Sequence, residues 1–190
     1  MTAPTPDLAA KQPAPHDPAA RRTRLREFQT QLVERMQAAS SGAVAQASQL
    51  AVMVGQMRWL LNLQDAGEIV PVGAITKVPL TKDWFLGMAN VRGNLISVID
   101  LARFCGMPAT PIDKDSRIVA FSPALSFNSG LLVSRVMGLR NAADMQLDAV
   151  AAADAAPWAA QRYVDRESQA WTALDLSLIV QDPQFLHVGI

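Results

Sequence analysis

The sequence predicts a mainly β fold built of small barrels, and three observations carry that expectation. Beyond residue 39 the apolar residues fall in strand-length runs of similar size, each a few residues from the next. Turn-forming residues separate them, notably Gly55-Gln56, the stretch Asn90, Arg92, Gly93 and Asn94, Ser129-Gly130, and Asp165 to Ser168. The runs do not alternate with long helical segments, as a parallel α/β sheet would require. The composition suits a folded core, since 50% of the 190 residues are hydrophobic and only 18% charged.

Taken in order, residues 1–20 are rich in Pro and Ala. Pro4, Pro6, Pro13, Pro15 and Pro18 break any helix, so this segment reads as a disordered tail. Over 21–39, Leu25, Phe28, Leu32 and Met36 recur at spacings of three and four, which predicts an amphipathic helix packing through those side chains onto a barrel or a partner. Arg21, Arg22, Arg24 and Arg26 crowd its start, where the helix dipole disfavours cations; they form a solvated face or meet an acidic partner or membrane surface. Ser40, Ser41 and Gly42 stop the helix, and a linker to residue 48 precedes the β domain of residues 49–190.

Residues 50–54 and 57–63 make a hairpin across Gly55-Gln56. Residues 68–72 add a strand in which Pro71 requires an edge or a bulge. Residues 84–89 and 95–101 form the clearest hairpin, and LISVIDL is apolar enough to be buried on both faces. Residues 117–122 and 131–137 read as a further hairpin around Ser129-Gly130, with Gly138 ending its second strand. The Ala-rich stretch 142–160 reads as a surface helix or loop. Residues 162–164 and 170–174 pair around the polar turn at 165–168, and Asp175 caps a short C-terminal helix that Pro183 stops.

Residues able to support catalysis are scarce. Only His16 and His187 occur, and the glycine-rich phosphate loop, the zinc-protease motif and the nucleophile elbow are all missing. Asp113 and Asp115 lack the glycine and distal glutamate of a calcium loop and read as surface loop; Asp144, Asp148 and Asp154 read as a solvated face. A single cysteine, Cys105, permits no internal disulfide or cysteine zinc site and reads as an inert packing residue. Trp59, Trp84, Trp158 and Trp171 fill the core or, in part, anchor a partner. Seventeen basic residues balance seventeen acidic ones, which removes the attraction that nucleic-acid binders rely on. The start lacks a secretory signal and no run reaches ~20 apolar residues, so a cytoplasmic protein without membrane insertion is expected. Neither a metal nor a cofactor is expected, and a binding module is favoured over an enzyme.

The segment FLGMANVRGNLISVIDLARFCGM, from Phe85, holds Gly87, Asn90, Arg92, Gly93, Val98, Asp100 and Leu101 in an order that resembles the signature of CheW-like domains. LAVMVGQMRWLLNLQDAGEIVPV upstream resembles that family's opening hairpin and next strand, and RIVAFSPALSFNSGLLVSRVMGL its later hairpin, so the likeness spans about 49–182. The family's usual Val-x-Glu-Ile reads here Ala66-Gly67-Glu68-Ile69. The extra amino-terminal segment and the wording GEIVPV, PLTKDWFLGMANVRGNL and ARF are similar to the members that serve type IV pilus systems. The resemblance implies a pair of small five-stranded β-barrels with an added N-terminal helix and a short C-terminal helix. It also implies a non-catalytic adaptor that joins the cytoplasmic tip of a methyl-accepting chemoreceptor to the regulatory domain of a CheA-like histidine kinase, in control of twitching motility. By residue matching, Arg92, Glu68, Ala66, Asn90 and Gly93 form the implied receptor-binding surface.

Overall fold

The computed structural model describes residues 48–148 and 155–190. The tail of 1–20, the helix expected over 21–39 and Asp154 lie outside the described residues. The strands are β1 (Ser48–Val54), β2 (Met57–Asn62), β3 (Ala66–Pro71), β4 (Ile75–Thr76), β5 (Phe85–Val91) and β6 (Asn94–Asp100), then β7 (Arg117–Phe121), β8 (Ser129–Val133), β9 (Arg135–Asn141), β10 (Gln146–Leu147), β11 (Arg162–Val164) and β12 (Ala170–Leu174). Among the described residues are three four-residue helices, α1 (Leu101–Phe104) after β6, and α2 (Leu176–Ile179) and α3 (Pro183–Leu186) after β12.

The strands form two six-stranded sheets, β10-β11-β12-β2-β1-β9 and β3-β7-β8-β6-β5-β4. The expectation of five strands in each is corrected by β4 and β10, two residues apiece and too short to leave a periodic signal. Each sheet also holds one parallel pair, β2 with β12 and β6 with β8.

Side-chain alternation accounts for the doubly apolar strands. In β7, Ile118 and Ala120 face a small cluster to which all six strands of the second sheet contribute, while Val119 and Phe121 face the main core. Similarly, in β1 and β2, Leu50, Val52, Val54, Trp59 and Leu61 join the main core while Ala51 and Leu60 meet Trp171 in the first sheet's own small cluster. Each sheet therefore curls around a minor core and turns its other face to a shared one. Trp59, Trp84, Phe104, Trp158 and Phe185 form a continuous ring cluster in that shared core, with centroids 5.2–6.4 Å apart. All four tryptophans are buried, as the core-filling reading expects. Trp171 is flanked by the guanidinium groups of Arg58 and Arg140, 6.0 and 5.3 Å from its ring, and its Nε1 donates to Asp165.

Several local expectations hold and others are corrected. Residues 55–56 turn the β1–β2 hairpin, and β3 with Pro71 is an edge strand. Residues 131–137 are not one strand: β8 ends at Val133, and β9 begins at Arg135 in the other sheet, with Ser134 N–H donating to Met53 O at the crossing. Ser129-Gly130 is no turn but the buried start of β8; a Cβ at Gly130 would lie 2.8 Å from Ile118 Cγ2. Gly138 sits inside β9 at a bulge, with φ of 95°. Asp175 caps α2 as expected, but Pro183 opens α3 behind an Asp182 cap instead of ending a helix, because its missing N–H costs nothing in a first turn. The stretch holding Asp144 and Asp148 is a single 3₁₀ turn followed by β10, so these carboxylates share no helical face.

Candidate functional site

The connection between β5 and β6 is the two-residue turn Arg92-Gly93, with φ of 49° and 91°. Positive φ at both positions is the hairpin geometry whose twist matches the flanking strands. Glycine adopts it freely, whereas Arg92 does so at a cost of roughly 1 kcal/mol. Asn90 Oδ1 accepts the Gly93 N–H at 2.8 Å and fixes the turn. A Cβ at Gly93 would meet nothing within 4 Å, so conformation, not space, calls for glycine there.

From this tip Arg92 reaches across the mouth of the second sheet to Glu68 on β3. Arg92 Nε lies 3.0 Å from Glu68 Oε2, and Nη1 donates to Oε1 at 3.4 Å. Both side chains stay open to solvent, at 76% and 45% exposure. A pair this wet contributes about 0–1 kcal/mol to stability, so its main effect is to aim the guanidinium. A cavity of about 150 Å³ opens beside it, walled by Pro71, Ala74, Asn90 and Ile118.

Four of the five expected residues meet here: Arg92 with Glu68, and Asn90 with Gly93. Ala66 takes no part in these contacts. It is half-buried against the shared core, because a bulge between Ala66 and Ile69 interrupts the alternation of β3. The bulge brings Gly67 so close to β7 that a Cβ would lie 2.9 Å from Phe121 O, a requirement of the AGE wording that the sequence reading missed.

Asp100, at the other end of β6, is fully buried. It accepts from Ala102 N at 3.1 Å, Thr110 N at 2.9 Å and Thr110 Oγ1 at 2.7 Å, while Arg103 Nε stands 3.9 Å away. Thus the Asp-Leu ending of the signature caps α1 and ties down the following loop. Thr110 had no sequence signal, since its role appears only once the chain returns. Cys105, read as packed, is exposed. Desolvation of its thiol, with the Asp100 carboxylate beside it, nevertheless pushes the group up to about 11. Alkylation by iodoacetamide near neutral pH is therefore expected to run on the order of a hundredfold slower than for a free thiol; a normal rate would contradict that environment. Asp113 accepts from Asp115 N, Ser116 N and Ser116 Oγ, and the Asp115 amide in particular holds its carboxyl below the usual range. It closes a loop, and among the described residues no cluster of His, Cys, Asp and Glu could hold a metal ion. Among them, too, no helix is long and apolar enough to cross a membrane.

Comparison with known proteins bears on this geometry. The CheW-like domain model matches residues 48–184. The protein PilI of Pseudomonas aeruginosa is 27% identical over 153 residues, covering 80% of this chain and 85% of that one. The chemotaxis protein CheW of Thermotoga maritima is 27% identical over 114 residues, or 60% and 74% of the two chains. The crystal structure of the scaffolding protein TtCheW from Thermoanaerobacter tengcongensis superposes with a TM-score of 0.59 at 22% identity, covering 68% of this chain and 84% of that one, which supports the fold. A family match across all twelve strands, together with the Asn90-to-Asp100 hairpin standing as the signature requires, makes the chain a member of the CheW-like domain family.

Proposed function

We propose that this CheW-type scaffold couples the cytoplasmic tip of a methyl-accepting chemoreceptor to the regulatory domain of a CheA-like histidine kinase, without catalysing a reaction itself, in a chemosensory system that controls type IV pilus twitching motility. The observation that carries the receptor contact is the exposed Arg92–Glu68 pair on a strained turn. A strained arginine whose ion pair contributes little to folding is best explained by what it presents outward. Its planar fork suits the carboxylates and helix carbonyls of a coiled-coil tip. The similarity to PilI supports the twitching branch, and the similarity to CheW proteins supports the two-partner role.

The test is reconstitution of the full chain with a receptor fragment and the kinase. Arg92→Gly should shift stability by no more than about 1 kcal/mol, since glycine relieves the turn strain while loosening the unfolded chain. The same variant should weaken receptor capture at least tenfold, an interface arginine being worth on the order of 2 kcal/mol when it is a hot spot. Unchanged capture would remove Arg92 from the contact. Restoration of twitching by the wild-type gene in a strain lacking it, but not by Arg92→Gly, tests the pathway.

A further inference from the structure

Edge strand β3 carries one residue more than its neighbour can pair. On β7 only Ala120 separates Val119 from Phe121, whereas Gly67 and Glu68 both separate their partners Ile69 and Ala66. Regular pairing holds on either side. Val70 stands opposite Ile118 and Pro71 opposite Arg117, while before Ala66 the Ser122 N–H donates to Asp65 O at 2.8 Å. The bulge is therefore confined to Gly67-Glu68.

An unbroken ladder would send the Glu68 side chain elsewhere. Counted from Ile69 opposite Val119, residue 68 would stand across from Ala120, whose side chain packs with those of Ile118 and Val70 in the second sheet's small apolar cluster. A carboxylate turned to that face loses water without gaining a partner. The extra residue frees Glu68 from that register, and its carboxylate stands open to solvent with Arg92 Nε 3.0 Å from Oε2. The bulge in turn brings position 67 almost onto β7: a Cβ there would lie 2.9 Å from Phe121 O and 3.2 Å from both Phe121 C and Ala120 O. These are backbone atoms, so no side-chain rotation makes room. Gly67 has no positive φ, and space rather than conformation excludes a side chain, the reverse of the case at Gly93.

We infer that Gly67 is a positioning residue of the receptor contact: by admitting the bulge it turns Glu68 outward, and Glu68 then aims Arg92. Gly67 offers a partner no side chain of its own and acts only through that pair. Its part in receptor capture rests on the function proposed above; its hold on the Arg92–Glu68 pair does not.

Two changes at position 67 of the full chain test this, with Glu68→Ala as the reference for a broken pair. Gly67→Ala sets a methyl against the β7 carbonyls. Deletion of Gly67 removes the extra residue, so that Ala66, Glu68 and Ile69 fall opposite Phe121, Ala120 and Val119 in a regular ladder; it creates no clash and carries the same readouts if Gly67→Ala does not fold. In the free protein the Arg92 Nε–H signal, followed by nitrogen NMR, should move in both variants to its position in Glu68→Ala. Receptor capture should fall roughly threefold, the scale of an exposed charge pair. Combined with Arg92→Gly, the deletion should add nothing to the loss that Arg92→Gly causes alone, because both act through one guanidinium, whereas a general loosening of the fold would add its own loss. An Arg92 signal unmoved by the deletion, capture unchanged although the signal has moved, or losses that add to those of Arg92→Gly would each overturn the role of Gly67. Capture indifferent to Arg92→Gly itself would instead remove the receptor contact, and the role of Gly67 in it, while leaving the NMR result on the pair intact.

Discussion

Gly87→Ala is expected to destabilise the fold by about 3 kcal/mol or more, lowering the melting temperature by roughly 10 °C. A Cβ at this position would stand 2.1 Å from Thr76 O and 2.8 Å from Thr76 C, both backbone atoms of β4, and φ at Gly87 is 132°. No rotamer change can relieve a clash with backbone, so either β4 leaves the sheet or β5 gives up its bulge near Phe85 and Gly87. Gly73→Ala is the control. There an added Cβ meets nothing within 4 Å and no positive φ is involved, so the change should be neutral or slightly stabilising. Urea unfolding of the two variants makes the comparison, and a Gly87→Ala loss under about 0.5 kcal/mol would contradict the close approach of β4 to β5.

Asp100→Ala should cost about 3 kcal/mol. Removal of the carboxylate strands the Ala102 and Thr110 amides and the Thr110 hydroxyl in a site where Asp100 has no exposure and Thr110 only 5%. Each buried donor left alone costs on the order of 1–3 kcal/mol, partly offset because a buried charge no longer has to be desolvated. Asp100→Asn keeps one oxygen acceptor, enough for the donors that share Oδ1, and should lose about half as much. A second readout is independent of stability: with the Asp100 charge gone, the Cys105 thiol should titrate below about 11, though not fully back, because desolvation is the larger cause of its rise. An Asp100→Ala chain as stable as wild type, with an unmoved Cys105, would refute the loop anchor.

Much of the second sheet was legible in the chain. The Asn90-to-Asp100 hairpin carries turn chemistry and strand periodicity in one window, so both its strands and the outward arginine follow from local residues. Glu68 could be nominated only through the family resemblance, since its pairing with Arg92 spans 24 residues and leaves no local trace. The break at Ser134 was hidden because LLVSRVMGL is uniformly strand-like; what divides it is a hydrogen bond to Met53, a contact far away in sequence. The bulge that turns Ala66 to the shared core depends on the neighbouring β7 carbonyls, which no reading of β3 alone contains. Pro183 fell between two rules, ending one helix or opening another, and the Asp182 cap decides it.

The path of the chain has a consequence for synthesis. β1 and β2 belong to the first sheet, β3 to β8 build the whole of the second without interruption, and β9 to β12 return to complete the first. As the polypeptide leaves the ribosome, the later-numbered sheet can therefore close while the opening hairpin still waits for β12, its parallel neighbour along β2. During that interval Ala51 and Leu60 lack the Trp171 ring that covers them in the finished fold, and the nascent molecule is most exposed to aggregation just before β11 and β12 emerge.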